Sequence, residues 1–505
     1  MRERIKVPPS PVMVEYVIRP KLERDSRSAF APLMDLNRAH VVMLAARNIV
    51  SPAKAAKLMR IFEEVCQAGP DSITWDPALE EVYYNLETHI IKQAGPDVGG
   101  QMHTGRSRND LIAALTRIAT RTQLFRLAAC LQEVRKVLLD LAETHARTVV
   151  TGYTHMQPAQ PTTLGHYFHA LAHALERDDV RLQQAFENVN RCPLGACAFN
   201  ATGFPIDRQM LADLTGFNGL AENSIDAIAS RDYIPQVLAA LATMGVNLSR
   251  LAQDLYIWGT DEFGWIEVGD EVAITSSIMP QKKNPVTLEH IRGKAAHMIG
   301  ALVASLTAQK GTPYGHLRDI SLESAHPLEE SFQESEAALN LTAATLRSLR
   351  VKAAAAEARA AENFSTVTEL ADVLVRETGL SFREAHTIVG LAVGELHERG
   401  GRTPDLTLAQ LERLAQERLG HPLRLSEASL RRALSPAENV AVRAVTGGPA
   451  PGEVLRSVQA SRERFAAHQA WWEAQKLRIE EARQRLNAAA SELAGSRPQI
   501  NAEKR

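Results

Sequence analysis

Apolar residues recur at intervals of three and four along most of this chain, and the period-two alternation expected of strands is rare. The stretch from Leu111 to Glu143 shows it best: Leu111, Leu115, Ile118, Leu124, Leu127, Leu131, Val134, Leu138 and Leu141 form one stripe, which predicts a single long core helix. Similar patterning predicts long helices from Ile234 into the region of Asp254 and from Val286 past Leu306, with Pro, Gly and Asn collected in the intervening loops. Helices of this length pack as a bundle, so the chain reads as all-α. Boundaries fall at the polar, Gly-rich segment before Arg108, at the Ala-rich stretch near Ala353, and at the Gly447-to-Gly452 break. They divide the chain into an N-terminal helical domain (1–108), a central long-helix domain (109–353), a small helical domain (354–452) and a last helix with its tail (453–505). In that last helix Val458, Phe465, Trp472, Ile479 and Leu486 recur every seven residues. The seam is expected to dock on the body or on a neighbouring subunit, ahead of coiled-coil pairing, and the residues from Ser496 read as disordered.

Composition narrows the function classes. Of 505 residues, 45% are hydrophobic and 23% charged, which is ordinary globular usage without an apolar run of about eighteen residues. The segment Met1 to Pro9 mixes charge with proline where a secretory leader needs an apolar stretch, which points to the cytoplasm. A formal net charge of -2 removes the general basic field of a nucleic-acid binder. No Gly-rich strand-to-helix phosphate loop occurs, so no nucleotide cofactor is expected. Cys66, Cys130, Cys192 and Cys197 lack zinc or disulfide spacing and read as reduced structural thiols. His166, His169 and His173 share a helical face as metal ligands would, but without a completing cysteine or carboxylate they read as helix-face packing.

Three segments carry the chemistry. Thr275-Ser276-Ser277-Ile278-Met279-Pro280-Gln281-Lys282-Lys283-Asn284-Pro285 concentrates hydroxyls, cations and an amide between prolines that exclude a regular helix, so it reads as a carboxylate-binding loop. The others are His103-Thr104-Gly105-Arg106-Ser107-Arg108-Asn109-Asp110 and Gly152-Tyr153-Thr154-His155-Met156-Gln157-Pro158-Ala159-Gln160-Pro161. Together they resemble the signature segments of the fumarase/aspartase superfamily, in versions most similar to argininosuccinate lyase. Pro193-Leu194-Gly195, Asn223 to Ala227 with Arg231-Asp232, and Ser381 to His386 extend the likeness from about Asp35 to about Pro451.

The resemblance implies a three-domain fold whose central bundle forms the core of a homotetramer, each site drawing on three subunits. It implies small-molecule chemistry without metal or cofactor: fumarate is eliminated from a succinyl unit through an aci-carboxylate. By the same resemblance Ser276 is the base, or else only a hydrogen-bond partner of substrate, while Lys282 and Asn284 stabilise the carboxylate that gains charge. His155, expected at a helix start, donates the leaving-group proton or only binds substrate, and Glu289 orients and charges it. Ser107, Arg108 and Asn109 form a carboxylate clamp, helped by Thr154 and Gln157, with Ser277 and Met279 on the loop. Arg106 reads as structural.

The likeness breaks at the leaving-group pocket. Counting from Lys310-Gly311-Thr312-Pro313, His316, Ser321 and Ser324 stand where argininosuccinate lyases carry Tyr, Gln and Lys, and Tyr83 stands where they carry His. Lost polar partners change specificity by large factors. The chain is therefore expected to be a C–N lyase acting on an N-substituted aspartate, with His316 contacting the amine and weakening that contact when protonated below about pH 6.5. Argininosuccinate itself is the second reading and a crystallin-like structural role the third.

Overall fold

The computed structural model describes residues 4, 5 and 7–495, so the expectation of disorder from Ser496 lies outside the described residues. The predicted stripe is a continuous helix from Arg108 to Thr144. It begins sharply because Ser107 is its N-cap: Ser107 Oγ accepts from the Asn109 amide while Asp110 accepts from the Ser107 amide, a reciprocal capping box. The other expected long helices run Tyr233–Trp258 and Val286–Gln309. Helices Leu164–Val189 and Pro327–Ser348 complete the bundle. Its core is apolar, with Leu124, Leu131, Phe168, Phe186, Leu241, Met244 and Leu339 all buried.

A second apolar cluster gathers Phe30, Leu33, Leu58, Phe62 and Leu86 around the N-terminal helices Phe30–Ala46, Pro52–Ala68 and Val82–Ala94. A third is made by Val367–Thr378, Phe382–Glu398 and their neighbours. Among the described residues, strand structure is confined to two-stranded pieces and one isolated bridge, Cys192 with Leu220. None of the helices among the described residues is long and apolar enough to cross a membrane.

The last helix, Pro451–Gly495, docks on the body of its own chain. Val458, Trp472 and Leu486 of the sevenfold seam are buried, with Phe465 and Ile479 partly so. The seam spans the bundle and the N-terminal cluster, because Trp472 belongs to the first and Leu486 to the second. Polar contacts fix its register. Trp472 Nε1 donates to Asp179 at 2.8 Å, Asp179 also accepts from Arg135, and Arg464 Nε meets Glu176 at 2.7 Å. The histidine face on Leu164–Val189 is used here: His169 meets Ser461 Oγ at 2.9 Å, and the His169 and His173 rings pack at a 60° tilt.

Trp472→Ala removes both the ring packed on Phe125 and Phe186 and the indole donor to buried Asp179. We expect a loss of about 3–5 kcal/mol, as for other buried large-to-small changes, read as a lowered unfolding midpoint in denaturant. A midpoint equal to that of the unaltered protein would show that the last helix is not integral to the fold.

Candidate active site

The Arg108 segment sits at the helix start because Asp110 fixes it there. Asp110 is fully buried and accepts from the amides of Ser107 at 3.2 Å and of Gly195 and Cys197 at 3.0 Å each. Burial pushes its carboxyl up to about 7, against the pull of Arg106 and these amides. Gly195 has φ +78°, and a Cβ there would stand 2.7 Å from Arg208 Cγ, so glycine lets the 193–197 backbone turn its amide onto the carboxylate. Arg106 is structural as expected: it is buried and donates to Asn37, Tyr83 and the Met102 carbonyl.

Arg108 faces outward, over the Tyr84 ring at 4.2 Å, with Nη1 at 3.5 Å from Glu81 and 3.9 Å from Glu80. Asn109 donates to the Ala198 carbonyl at 3.0 Å. A cavity of about 250 Å³ opens beside them, lined by Glu81, Arg108, Asn109, His316 and Arg318. His316 lines this cavity, and its titration differs from the expectation. Burial and the positive fields of Arg231 and Arg318 lower it to about 4, so it is neutral at pH 6.5 and the expected protonation near that value is corrected downward. Its Nδ1 is buried without a hydrogen-bond partner. Ser321 and Ser324 are buried, and Ser324 Oγ is turned inward to the Ile320 carbonyl at 2.6 Å. Neither reaches the cavity lining.

Ser276 lies in a loop carried by a short ladder, Ile274 opposite Asn284 and Thr275 opposite Lys283. Its Oγ accepts from the amides of Met279 at 3.0 Å and Ile278 at 3.4 Å. The segment stays a loop because Pro280 and Pro285 cannot extend the ladder. Lys283 anchors its base through Glu267 at 2.9 Å and Asp270 at 2.7 Å, while Ser277, Met279 and Lys282 are exposed.

His155 is the main local correction. It is not at a helix start but in the two-residue turn of a hairpin, Val149–Thr154 against Gln157–Thr163. His155 and Met156 take φ 52° and 57°, the primed-turn conformation that fits strand twist and costs non-glycine residues about 1–3 kcal/mol each. Pro158 and Pro161 fit because the ladder has only two strands and each is an edge. Thr154, His155 and Gln157 are exposed. Glu289, also exposed, accepts from Tyr256 at 3.2 Å, and no hydrogen bond or ion pair among the described residues joins it to His155.

No hydrogen bond, ion pair or ring contact among the described residues links the Arg108, His155 and Ser276 segments. Sequence reasoning missed Glu81, since an acidic pair before a helix reads as solvated surface. Burial raises its carboxyl, yet Lys21, Arg318 and Arg108 hold it below the usual carboxylate range. No group of His, Cys, Asp and Glu among the described residues is arranged to hold a metal.

A long-helix bundle carrying these loops at helix ends is the architecture of the fumarase/aspartase lyases. Residues 40–300 match the family model described as Lyase, and residues 364–441 match the one described as Argininosuccinate lyase C-terminal. Argininosuccinate lyase 1 of Shouchella clausii is 43% identical over 92% of this chain and 93% of its own length. The argininosuccinate lyase of Methanosarcina barkeri is 41% identical over 82% and 83%. Among solved structures, EDDS lyase in complex with formate superimposes with a TM-score of 0.86 at 32% identity, covering 97% of this chain and 96% of that one. A doubly substituted EDDS lyase variant with bound fumarate gives 0.85 at 32%, covering 97% of each. The chain belongs to the argininosuccinate lyase family of the fumarase/aspartase superfamily and is a carbon–nitrogen lyase.

The lowered titration of His316 has a measurable consequence. Its folded pKa lies below the unfolded value near 6.5, so the stability of the neutral form is complete above about pH 6.5 and is lost as pH falls toward 4. The NMR titration of the His316 ring should have its midpoint near 4. His316→Gln should flatten the decline of thermal stability over that window. A midpoint near 6.5 would show that neither burial nor the fields of Arg231 and Arg318 control this ring.

Proposed function

We propose that this chain reversibly eliminates fumarate from an N-substituted L-aspartate, with Ser276 as the base. The observation that carries the reading is the Ser276 hydroxyl, which already accepts two loop amides. Hydrogen bonds to the charged form favour an alkoxide, and exclusion of water strengthens them. Deprotonation at the succinyl β-carbon puts charge on the adjacent carboxylate, which Lys282 and Asn284 receive. Ser107, Arg108 and Asn109, with Thr154 and Gln157, hold the other carboxylate, and Arg108 supplies the planar fork for it. Ser277 and Met279 close over the substrate from the loop. His155, charged by Glu289, gives the departing nitrogen its proton, and neutral His316 contacts the amine.

The reading calls for a homotetramer with shared sites. No hydrogen bond or ion pair among the described residues joins the three loops, and Val180, Val246, Ile299, Val303 and Leu306 leave exposed apolar side chains on the bundle helices. Argininosuccinate is the second substrate reading, favoured by curated relatives about 40% identical over most of the chain. The inward turn of Ser324 and the burial of Ser321 weigh against it.

Fumarate release from argininosuccinate and from a panel of other N-substituted aspartates, followed by ultraviolet absorbance, tests the reaction and ranks the two substrate readings. Ser276→Ala should lower turnover by about 10²–10⁴-fold with little change in substrate affinity, the mark of a group acting in the transition state. Near-normal turnover would remove Ser276 as base. Mixing Ser276→Ala chains with His155→Asn chains should restore part of the activity through hybrid sites. Verified mixed oligomers without recovery would rule out shared sites.

A further inference from the structure

The loop that carries Ser276 holds a second cation, Lys283, to which the proposed elimination gives no task. In the short ladder Thr275 lies opposite Lys283, and Ile274 lies opposite Asn284. Side chains directly opposite share a face and neighbours along a strand alternate, so Thr275 and Lys283 take one face while Ile274 and Asn284 take the other. Carried one residue further toward the loop, the same alternation puts Ser276 and Lys282 on the face of Asn284. Lys283 is thus on the face opposite the three groups proposed to act on substrate.

On its own face Lys283 meets two carboxylates, Glu267 Oε1 at 2.9 Å and Asp270 Oδ1 at 2.7 Å. Both carboxyls are held below the usual carboxylate range, first by the hydrogen bond from this ammonium. The carboxylates stand on a fixed support. Ile266 and Glu267 pair with Val351 and Arg350, the Trp265 carbonyl accepts from the Lys352 amide at 2.8 Å, and the Gly269 amide donates to Ser348 Oγ at 3.1 Å. Trp265 is itself buried, packed against the rings of Phe263, Trp258 and Tyr153. One end of the clasp is therefore anchored in the bundle core, while the loop at its other end is exposed from Ser277 to Lys282.

The clasp is weak in folding terms. The side chains of Lys283, Glu267 and Asp270 are 28%, 40% and 83% exposed, and ion pairs so close to water add little to stability. An interaction of that strength does not decide whether the protein folds. It does decide how a loop tied down by so short a ladder is oriented.

We propose that Lys283, with Glu267 and Asp270, forms a positioning set for the elimination, fixing the roll of the ladder so that Ser276, Lys282 and Asn284 face the substrate together. None of the three members touches substrate. This rests on the lyase reading above and adds to it the residues that aim its loop.

The test measures fumarate release at saturating argininosuccinate, or at the aspartate of the panel used fastest, together with amide hydrogen exchange over residues 274–284 in the free enzyme. Lys283→Met should lower kcat about two- to thirtyfold, the combined worth of two exposed ion pairs, with KM changed less than about twofold and the thermal midpoint unaltered. Exchange in the loop should rise by a similar factor. Glu267→Gln combined with Asp270→Asn should do the same, and joining these to Lys283→Met should add nothing further, because both remove one interaction. Lys283→Arg, which keeps the charge, should keep most of kcat. Turnover and loop exchange unchanged in the Glu267→Gln, Asp270→Asn enzyme overturn the proposal, and a loss confined to Lys283→Met then assigns that ammonium to substrate. No fumarate release from any aspartate of the panel overturns the lyase reading instead, and loop exchange still decides whether the clasp holds the ladder.

Discussion

The buried carboxylate of Asp110 is the constraint from which the functional end of this molecule follows. It caps the longest bundle helix through the Ser107 amide and holds the 193–197 backbone through Gly195 and Cys197. One side chain thereby joins the start of a rigid helix to a loop distant in sequence and fixes the direction in which Arg108 leaves the surface. An anion at a helix N-terminus is favoured by the free amides and the helix dipole. Desolvation opposes its charge, and only the number of donors makes the burial tolerable.

From that fixed point the molecule separates scaffold from chemistry. The helices bury apolar stripes, whereas the hydroxyls, imidazole and cations proposed for the elimination sit on loops at helix ends or on small ladders. The last helix reinforces the scaffold. By placing Trp472 against the bundle and Leu486 against the N-terminal cluster it braces two cores with one rod. Reactive loops held this way keep their backbones in place while their side chains stay exposed, as in the strained hairpin turn at His155.

The leaving-group side follows from burial and charge. Burial, with the positive fields of Arg231, Arg318 and Arg108 that Glu81 only partly offsets, keeps the His316 imidazole neutral. A neutral ring beside Arg108 and Arg318 forms a different recognition surface from the Tyr, Gln and Lys that the family resemblance leads one to expect. The sequence departures at Ser321 and Ser324 remove polar groups from that surface.

Much of this was legible in the residues alone. The stripe from Leu111 to Leu141, the other two long helices and the sevenfold seam ending at Leu486 all appear as helices, because burial of an apolar face writes a period of 3.6 directly into sequence. The three polar segments likewise declared themselves, and with them the family, since their residue types are dictated by carboxylate chemistry. Tertiary structure alone decided the rest. A two-residue hairpin turn without glycine carries no turn signal, so His155 looked like a helix start. Glu81 looked like solvated surface until Arg318, far along the chain, was placed against it. The titration of His316 depends on its burial and on arginines from distant segments, which no local pattern encodes. Periodicity records which face is buried; it does not record which charges the burial brings together.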